Sequence, residues 1–473
     1  MTSWIKDGYN RFSNVYTSFY PPPNQIEPSE GGQEGEEKPP PPLRMGILGA
    51  SNIAPIAVIL PCKSHPGIMV TAVAARDKSK AISYSKKHGI PHVFDDYQSL
   101  IQDDGIDVIY NALPNALHHR WTLEAIKARK HVLLEKPSTS NREQTEEVFE
   151  AARQANVVVL EAFHYRFHPA LHEFAFRLHS VLSPLNPLVS VKSTLKIPGS
   201  IPPETDIRFN YDLGGGATMD TGCYTVSSLL YTMRVAAGTW KREKWEDEVE
   251  VREARPTYFE PRHAASAAAP HLDRQGHFGV DEAMQATLLV PSARPQKIAC
   301  LIDTALRTHL FTIPLIGWKV PFLVLPSLLA TFKDGTTVEF KNFVAPFLWH
   351  SIITTHRGRT AEENKVKPGT RTYSKAYVPG ENSGSDEMKR AAKDGHWAAG
   401  TGKEWWSTYR YQLEAFVRAV QKVRRDGLQF KDLEKESRGP QADVPVWVDS
   451  RESEIVMRCI DSIYEKAGMS RRP

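Results

Sequence analysis

A chain of 473 residues is too long for one hydrophobic core, since single cores seldom grow past roughly 250–300 residues, so two domains are predicted. With 41% hydrophobic and 24% charged residues, the composition is that of a folded protein and excludes extensive disorder. The formal net charge of +4 is small for this length, so neither nucleic acid nor an anionic membrane is predicted as a partner.

Residues 1–42 are predicted to be a disordered N-terminal arm followed by a proline- and glutamate-rich linker. Positions 21–44 contain eight prolines and five glutamates and almost no apolar residue that could be buried. The first twenty residues lack the basic and apolar segments of a secretory signal. The most apolar later segment, Phe311 to Phe332, contains Lys319 and three prolines, which argues against a membrane span. We therefore expect a cytoplasmic protein with no membrane partner.

Residues 43–165 show short apolar runs that alternate with helical patterns. The runs "RMGILGA", "MVTAVAAR", "DVIYNAL", "HVLLEK" and "NVVVLEAF" are rich in strand-forming residues, whereas "REQTEEVFEAARQA" carries apolar residues at helical spacing. Strands that alternate with helices predict an α/β domain with a doubly wound parallel sheet. We interpret this segment as a dinucleotide-binding Rossmann domain.

Residues 166–473 are predicted to form a second, α+β domain. The runs "LVSVKSTLKI", "EAMQATLLV" and "KIACLIDTAL" cluster without regular helices between them, which indicates an antiparallel or mixed sheet. Asp334-Gly335 lies between two alternating runs and predicts a hairpin turn. Two polar stretches, near 234–278 and 354–402, are interpreted as surface insertions.

The segment Met45 to Pro61 combines a strand, a tight turn of small residues and a helix start, which is the context of a dinucleotide-binding turn. Of the usual G-x-G-x-x-G/A pattern only the first glycine, Gly49, is present; a serine replaces the second and Ala54 is an accepted third. Alone, this turn is equally compatible with an ordinary strand-to-helix connection. The candidate cofactor-binding residues of the turn are Gly49, Ser51, Asn52 and Ile53.

The end of the second strand bears on the choice between NADP and NAD. An NAD site usually has Asp or Glu there to bind the ribose 2′-hydroxyl, but this chain has Ala75-Arg76. An arginine suits the 2′-phosphate of NADP, so Arg76 predicts NADP. Asp77, one residue further on, leaves NAD as the alternative.

Several motifs together resemble the Gfo/Idh/MocA family, named for glucose-fructose oxidoreductase, inositol dehydrogenase and rhizopine catabolism. They are "GILGASNIA", "AVAARD", "IYNALPNALHHRWTLEAIKARKHVLLEKPSTSN", "LEAFHYRFHPA", "LGGGATMDTGCY" and "SEIVMRCIDSIYEKAGM", in that order. Within the family the chain is most similar to the branch of NADP-dependent D-xylose dehydrogenases and dimeric dihydrodiol dehydrogenases. One departure is His164, where this branch often has Met or Trp.

The resemblance implies an NADP-dependent dehydrogenase that transfers a hydride between nicotinamide and a sugar, polyol or diol hydroxyl. Oxidation of an aldose such as D-xylose to its lactone is the first expectation, and oxidation of trans-1,2-dihydrodiols is the second. A non-catalytic regulatory protein that binds a dinucleotide on the same fold is the alternative from another class. The family also implies a large open-faced sheet in the second domain and a homodimer or tetramer, because an uncovered apolar sheet face needs a partner.

Three residues are predicted to carry the chemistry: Lys136, Asp220 and Tyr224. Lys136 follows a strand and precedes a proline, which places its ammonium at the carboxyl edge of the sheet, where ligands of such folds bind. The family implies that Tyr224 is the acid/base, and a neighbouring lysine is expected to lower its pKa from about 10. Asp220 lies one helical turn before Tyr224 and is expected to orient the pair or bind substrate hydroxyls. A buried structural tyrosine with a capping aspartate is the alternative.

Other residues are candidates through the family's pattern alone. The cysteines and the His118-His119 pair lack metal-ligand spacing, so no metal is predicted. The three glycines of "LGGGATMD" are interpreted as permitting a close approach to nicotinamide and substrate, not as a phosphate loop. The remaining cofactor-binding candidates are Leu113, Pro114, Asn115, His118, Glu135, Lys136 and Arg166.

Overall fold

The first sheet is built from six parallel strands, and the residues of its four central and C-terminal strands, β1, β4, β5 and β6, are almost all buried. A computed structural model describes residues 41–198, 202–236, 245–260, 279–292, 297–308, 310–312, 319–321, 324–358, 367–374, 406–436 and 447–473. The strand order is β3-β2-β1-β4-β5-β6. Apolar strands covered on both faces by helices are typical of a parallel sheet. The strands are β1 (Leu43–Leu48), β2 (Ile68–Ala74), β3 (His92–Phe94), β4 (Val108–Asn111), β5 (His131–Leu134) and β6 (Val159–Glu161).

Helices connect these strands, and polar side chains mark where they begin. A π-helical turn (Pro55–Ile59) continues into α1 (Leu60–Lys63), followed by α2 (Lys78–His88), α3 (Tyr97–Gln102), α4 (His118–Lys127) and α5 (Arg142–Ala155). Asp77 and Asn141 accept hydrogen bonds from backbone N–H groups of the first turns of α2 and α5. Gly89 ends α2 in the left-handed conformation with φ +70°.

The second sheet has eight strands in the order β16-β15-β14-β13-β7-β10-β9-β8. Only β7 and β10 are parallel, and all other neighbours are antiparallel. Its strands are β7 (Leu188–Lys196), β8 (Glu250–Tyr258), β9 (Asp281–Val290), β10 (Ile298–Ala305), β13 (Ser327–Phe332), β14 (Thr337–Lys341), β15 (Ser351–Gly358) and β16 (Lys367–Ser374). A separate hairpin pairs β11 (Leu310–Thr312) with β12 (Lys319–Pro321).

One face of the second sheet is open. Lys192 on β7 pairs with Leu301 on β10 and with Leu329 on β13, so these three side chains share a face, and all three are partly or fully exposed. The neighbouring residues on the opposite face, including Val191 and Ala330, are buried beneath helices. The sequence prediction of a parallel Rossmann sheet followed by a mostly antiparallel, open-faced sheet is therefore confirmed.

The helices after residue 168 serve both sheets. They are α6 (Pro169–Val181), α7 (Cys223–Ala236), α8 (Thr408–Arg425), α9 (Phe430–Glu436) and α10 (Ser450–Lys466). Helix α7 packs on β7, whereas α8 packs on the π-helical turn and α1, and α10 packs on α5. Asp461 on α10 accepts a hydrogen bond from the backbone N–H of Arg142 at 2.9 Å. The end of the chain thus returns to cover the first sheet's helices.

The predicted surface insertions contain part of the second sheet. β8 lies within 234–278, and β16 with most of β15 lies within 354–402; residues 237–244, 261–278, 359–366 and 375–402 of these stretches, and residues 1–40 of the predicted arm, fall outside the described residues. Their polarity has a physical reason, because edge strands such as β8 expose many side chains to solvent. Among the residues described, no helix is both long and apolar enough to cross a membrane.

Candidate active site

The predicted dinucleotide turn lies at the carboxyl end of β1. Gly49 has φ +92°, and a β-carbon there would lie 3.1 Å from Cδ2 of Leu113, so glycine fits best. The hydroxyl of Ser51 accepts from the backbone N–H of Ala54 at 3.3 Å, which closes the turn onto the helix start. Asn52 is exposed, whereas Ser51 and Ile53 are half-buried. The turn is therefore small and open, as an approaching diphosphate would require.

Two adjacent side chains at the end of β2 have different surroundings. The carboxylate of Asp77 accepts from the backbone N–H of Ser79 at 2.9 Å and from its hydroxyl at 2.6 Å. These hydrogen bonds lower the pKa of Asp77 and commit its carboxylate to the cap of α2. The Arg76 side chain is exposed beside it, while the Arg76 N–H donates to the Tyr97 hydroxyl at 3.1 Å. One oxygen of the Asp77 carboxylate is therefore engaged by the cap, whereas the exposed guanidinium of Arg76 can meet a ligand at this edge.

Lys136 and Asp220 form the centre of the site. Lys136 follows β5 and is joined to Pro137 by a cis peptide bond. Its ammonium lies 2.7 Å from Oδ1 of Asp220 and 3.1 Å from the Asp220 carbonyl oxygen. The negative carboxylate raises the pKa of Lys136 above its usual range despite burial. Lys136 is therefore a permanent cation at the carboxyl edge of the parallel sheet.

Arg208 is a functional residue that the sequence reasoning missed. It lies on a 3₁₀ turn (Ile207–Phe209), and its Nε donates to Oδ2 of Asp220 at 2.7 Å. The same guanidinium reaches Oδ1 of Asp206 at 3.0 Å. With Arg208 on one oxygen and Lys136 on the other, the pKa of Asp220 is held well below its usual range. No motif marked Arg208, because an isolated arginine twelve positions before Asp220 has no diagnostic spacing.

Tyr224 lies at the start of α7, directly after a π-helical turn (Thr218–Gly222) that carries Asp220. The Lys136 ammonium is 5.0 Å from the centre of its ring, and its hydroxyl is 3.0 Å from Nε2 of His164. Burial, reinforced by the negative charge of Glu135, raises the pKa of Tyr224 well above 10. The prediction of a lowered pKa is therefore wrong in its net direction, because burial of the phenol outweighs the Lys136 ammonium, which Asp220 engages.

His164 and the loop after β4 complete the surroundings. Nδ1 of His164 is 2.8 Å from the Thr408 hydroxyl, and its ring stacks on Tyr409 at 4.0 Å. Burial lowers the pKa of His164 to about 3, with Lys136 adding to the effect, so the ring is neutral. In the sequence, the departure of His164 from the family pattern was the one feature that distinguished this residue.

The predicted cofactor loop, residues 113–118, lies against the glycine run. Nδ2 of Asn115 donates to the Gly214 carbonyl at 2.9 Å, and Pro114 precedes a 3₁₀ turn that leads into α4. His118 is buried, with its ring nitrogens 2.8 Å from the carbonyl oxygens of Leu113 and Pro137. Burial lowers the pKa of His118 to about 4. His118 thus links this loop to the segment that carries Lys136.

The three glycines are close to protein groups. A β-carbon on Gly214 would lie 2.9 Å from that of Asn115, and one on Gly215 would lie 2.5 Å from the Arg208 carbonyl oxygen. Gly216, with φ +133°, leaves no room for a side chain beside Asp281 and Arg472. Arg472 is fully buried, and its Nε donates to the Gly215 carbonyl at 2.6 Å. The glycines thus permit close approach to the Asn115 loop, to the Arg208 carbonyl and to Arg472, while the predicted approach to nicotinamide and substrate stays a prediction.

Glu135 and Arg166, the two remaining charged candidates, lie in different surroundings. Glu135 lies beside Lys136, and its Oε1 accepts from the Tyr110 hydroxyl at 2.5 Å; burial raises its pKa. Arg166 is fully buried, forms an ion pair with Glu452 and lies 4.6 Å from the ring centre of Tyr231. The prediction that Arg166 binds the cofactor is therefore corrected: its guanidinium neutralises a core carboxylate.

Glu161, at the end of β6, was also not among the predicted site residues. Its Oε1 accepts from the backbone N–H of Ser138, two residues after Lys136, at 2.8 Å. Burial raises its pKa to about 7. A carboxylate at the end of a buried strand gives no signal in the sequence beyond its position.

A six-stranded parallel sheet in the order 3-2-1-4-5-6, with a small open turn after β1, defines a dinucleotide-binding domain. Residues 43–163 match the sequence model of the Gfo/Idh/MocA family, an oxidoreductase family with an NAD-binding Rossmann fold. The match to this family is confined to that domain, about a quarter of the chain.

The chain is similar to two named dehydrogenases over its N-terminal part. It is 39% identical over 188 residues to D-xylose 1-dehydrogenase (NADP(+)) 2 from Haloferax volcanii, which covers 39% of this chain and 56% of the relative. It is 32% identical over 192 residues to trans-1,2-dihydrobenzene-1,2-diol dehydrogenase from Xenopus tropicalis, covering 39% and 54%. The chain thus spans little more than half the length of these relatives.

A solved structure extends the likeness of fold to both sheets. A 3-ketoreductase from Actinomadura kijaniata, in complex with NADP and TDP-benzene, superposes with a TM-score of 0.59 at 19% sequence identity. The superposition covers 90% of this chain and 98% of that one. At this identity the likeness concerns the fold.

Proposed function

We propose that this protein is an NADP-dependent dehydrogenase that oxidises a sugar hydroxyl, with D-xylose or a similar aldose as substrate and a lactone as product. The observation that carries the proposal is the meeting of Lys136, Asp220 and Tyr224 at the carboxyl edge of the parallel sheet. The dinucleotide turn after β1 and Lys136 after β5 lie at strand ends on this edge, where open α/β sheets bind ligands, and the Tyr224 phenol at the start of α7 lies beside Lys136. A protein that only sensed the dinucleotide would have no need of this set.

The residues at the end of β2 fit NADP. The Arg76 guanidinium is exposed for a 2′-phosphate, whereas the Asp77 carboxylate that could select NAD is occupied by Ser79. The other cofactor contacts proposed are those of Gly49, Ser51, Asn52, Ile53, Leu113, Pro114, Asn115, His118 and Glu135. When bound, NADP⁺ supplies the nicotinamide that accepts the hydride.

The protein's own groups handle the proton and the developing charge. Asp220 and Arg208 hold the Lys136 ammonium in place, and this fixed cation stabilises the substrate oxygen as it becomes alkoxide-like. Tyr224 exchanges the proton with that oxygen. Because burial keeps the phenol protonated, Tyr224 is ready to donate in the reducing direction and must lose its proton before it acts as the base in oxidation.

The second domain, residues 166–473, is proposed to bind substrate and to form a cytoplasmic homodimer or tetramer. The open face that carries Lys192, Leu301 and Leu329 is the surface that supports this assembly. Light scattering coupled to size-exclusion chromatography tests it: a mass of one chain would contradict the proposal.

One experiment separates the candidate functions. The purified protein is given NADP⁺ or NAD⁺ with a panel of aldoses that includes D-xylose, with polyols and with trans-1,2-dihydrodiols, and reduction of the cofactor is followed by absorbance. We expect turnover of an aldose with NADP⁺. Turnover of dihydrodiols alone would favour the second function, which the similarity to the Xenopus tropicalis enzyme supports. Binding of NADPH without any turnover would replace both by a regulatory role.

A further inference from the structure

His164 has two hydroxyl groups as hydrogen-bonding partners. Its Nε2 meets the hydroxyl of Tyr224 at 3.0 Å, and its Nδ1 meets the hydroxyl of Thr408 at 2.8 Å. A neutral imidazole has one N–H, so it donates to one hydroxyl and accepts from the other. The geometry alone allows either arrangement, but Thr408 is 0% exposed, whereas Tyr224 keeps 8% exposure at the proposed site.

Thr408 is fully buried, and in the part of the chain that the structure describes its hydroxyl meets a single hydrogen-bonding group, Nδ1 of His164. A buried hydroxyl proton without an acceptor is costly, so Thr408 donates to Nδ1. The single proton of the ring must then lie on Nε2, where it points at the Tyr224 oxygen. Stacking on Tyr409 holds the ring in this plane.

We propose that His164 is a positioning residue that donates its Nε2–H to the Tyr224 oxygen, held in that tautomer by Thr408. This inference rests on the proposed function, because it concerns how Tyr224 handles the proton. A donor to the phenol oxygen leaves the phenol proton free to point toward substrate. It also strengthens when the phenol becomes phenolate, since a charged acceptor makes a stronger hydrogen bond.

The Nε2–H donor of His164 offsets part of the effect that keeps the Tyr224 phenol protonated. Most groups that face Tyr224 oppose its ionisation, and without a compensating donor it would be a poor base. Lys136 and the neutral Nε2–H of His164 are the two groups that favour the phenolate. The groups that oppose it by their negative or ionisable character are Glu135 after β5, Asp220 and Cys223 next to Tyr224 on the chain, and Tyr165 beside His164.

The first test is kinetic and uses a double-mutant cycle in the full-length chain, with NADP⁺ and the aldose that the substrate panel identifies. We expect His164→Met to lower kcat by about 10- to 30-fold, the loss of one donor to a developing charge, with KM for NADP⁺ unchanged. The alkaline pH profile of kcat should shift to higher pH. In a Tyr224→Phe background, His164→Met should have no further effect, because its acceptor is gone.

Two variants distinguish positioning from packing. His164→Gln retains an N–H donor and should recover part of the rate, whereas His179→Met, on α6 away from the site, is the matched control and should leave the rate unchanged. An equal loss with His164→Met in both backgrounds, or no loss in either, would overturn the proposal.

The second test does not depend on activity. Long-range ¹H–¹⁵N correlation spectra of ¹⁵N-histidine-labelled protein, with His164→Gln for assignment, report which ring nitrogen carries the proton. We expect protonated Nε2 in the wild type and a changed tautomer signal in Thr408→Val. A wild type that turns over no substrate would refute the proposed function while this spectrum still decides the tautomer; a proton on Nδ1 would refute the inference alone.

Discussion

The ammonium nitrogen of Lys136 lies 2.7 Å from Oδ1 of Asp220, although 84 positions separate the two residues in the chain. Lys136 follows β5 of the first sheet. Asp220 precedes α7, the helix that packs on β7 of the second sheet. Their ion pair therefore joins the two halves of the molecule at the proposed site of reaction, and both side chains are mostly buried. Changes to either partner are expected to affect rate more than cofactor binding.

Lys136→Met is expected to lower kcat by about 10²- to 10⁴-fold, because it removes the cation that stabilises the substrate oxygen. NADPH affinity, measured by fluorescence titration, should change little. Lys127→Met is the control, since Lys127 makes an exposed pair with Glu124. A Lys136→Met enzyme with wild-type turnover would contradict the proposed role.

Arg208→Ala is expected to lower kcat by roughly 10-fold, because Asp220 loses one of its two cationic partners and holds Lys136 less firmly. The pKa of Asp220 should rise, so the loss should grow as the pH falls toward 5. Arg255→Ala, which removes an exposed pair with Glu253, serves as the comparison. An equal loss at every pH would exclude this explanation.

Arg76→Ala should raise KM for NADP⁺ by about 10- to 100-fold and leave KM for NAD⁺ nearly unchanged, since the lost contact is to the 2′-phosphate. Asp77→Asn tests the neighbouring position: we expect it to leave both stability and the cofactor preference nearly unchanged, because asparagine caps a helix about as well as aspartate. The KM values for NADP⁺ and for NAD⁺, measured for both variants, show which of the two residues sets the cofactor preference. A preference for NAD⁺ in the wild type would refute our interpretation of Arg76.

Gly214→Ala is expected to destabilise the protein by about 2–4 kcal/mol, because it combines strain at φ +73° with a clash against Asn115. Gly89→Ala is the matched control: its φ is +70°, but a β-carbon there has nothing within 4 Å. The control should therefore cost about 1 kcal/mol, the strain alone. Urea unfolding of both variants gives the comparison, and equal losses would show that the contact with the Asn115 loop is unimportant.

Glu161→Gln should change how stability depends on pH. Burial raises the folded-state pKa of Glu161 to about 7, above its unfolded value of about 4.5, so the carboxylate destabilises the fold above pH 7 and not below pH 4.5. The variant should be more stable than wild type at pH 8, by about 1–3 kcal/mol, and this difference should vanish near pH 5. Glu465→Gln, at an exposed position of α10, serves as the control.

Local patterns predicted the fold well because period and turn chemistry are local properties. Alternating strands and helices predicted the parallel sheet, and Asp334-Gly335 predicted the turn between β13 and β14, where Gly335 has φ +87°. Polarity was a poorer guide: β8 has mostly exposed or half-buried residues and was taken for part of an insertion. An edge strand and a surface loop expose similar side chains, so composition does not separate them.

The residues of the proposed site differ in the same way in how far the sequence could predict them. Lys136, Asp220 and Tyr224 belong to motifs and could be predicted, whereas Arg208 and Glu161 reach the proposed site through contacts between distant segments that no spacing encodes. The direction of the Tyr224 pKa shift depends on burial and on how Asp220 engages Lys136, which only the folded arrangement supplies. Arg166 shows the opposite error, since its partner Glu452 lies 286 positions away.

The return of α8 and α10 to the first sheet limits how the molecule can be divided. Residues 43–163 carry the family's sequence signature, yet the π-helical turn and α1 are covered by α8, and α5 is covered by α10. A gene fragment cut at the boundary of that signature would encode a Rossmann sheet with apolar helix surfaces exposed to water. Such a fragment should aggregate during expression, so dissection of this protein by domain has to proceed by substitution within the intact polypeptide.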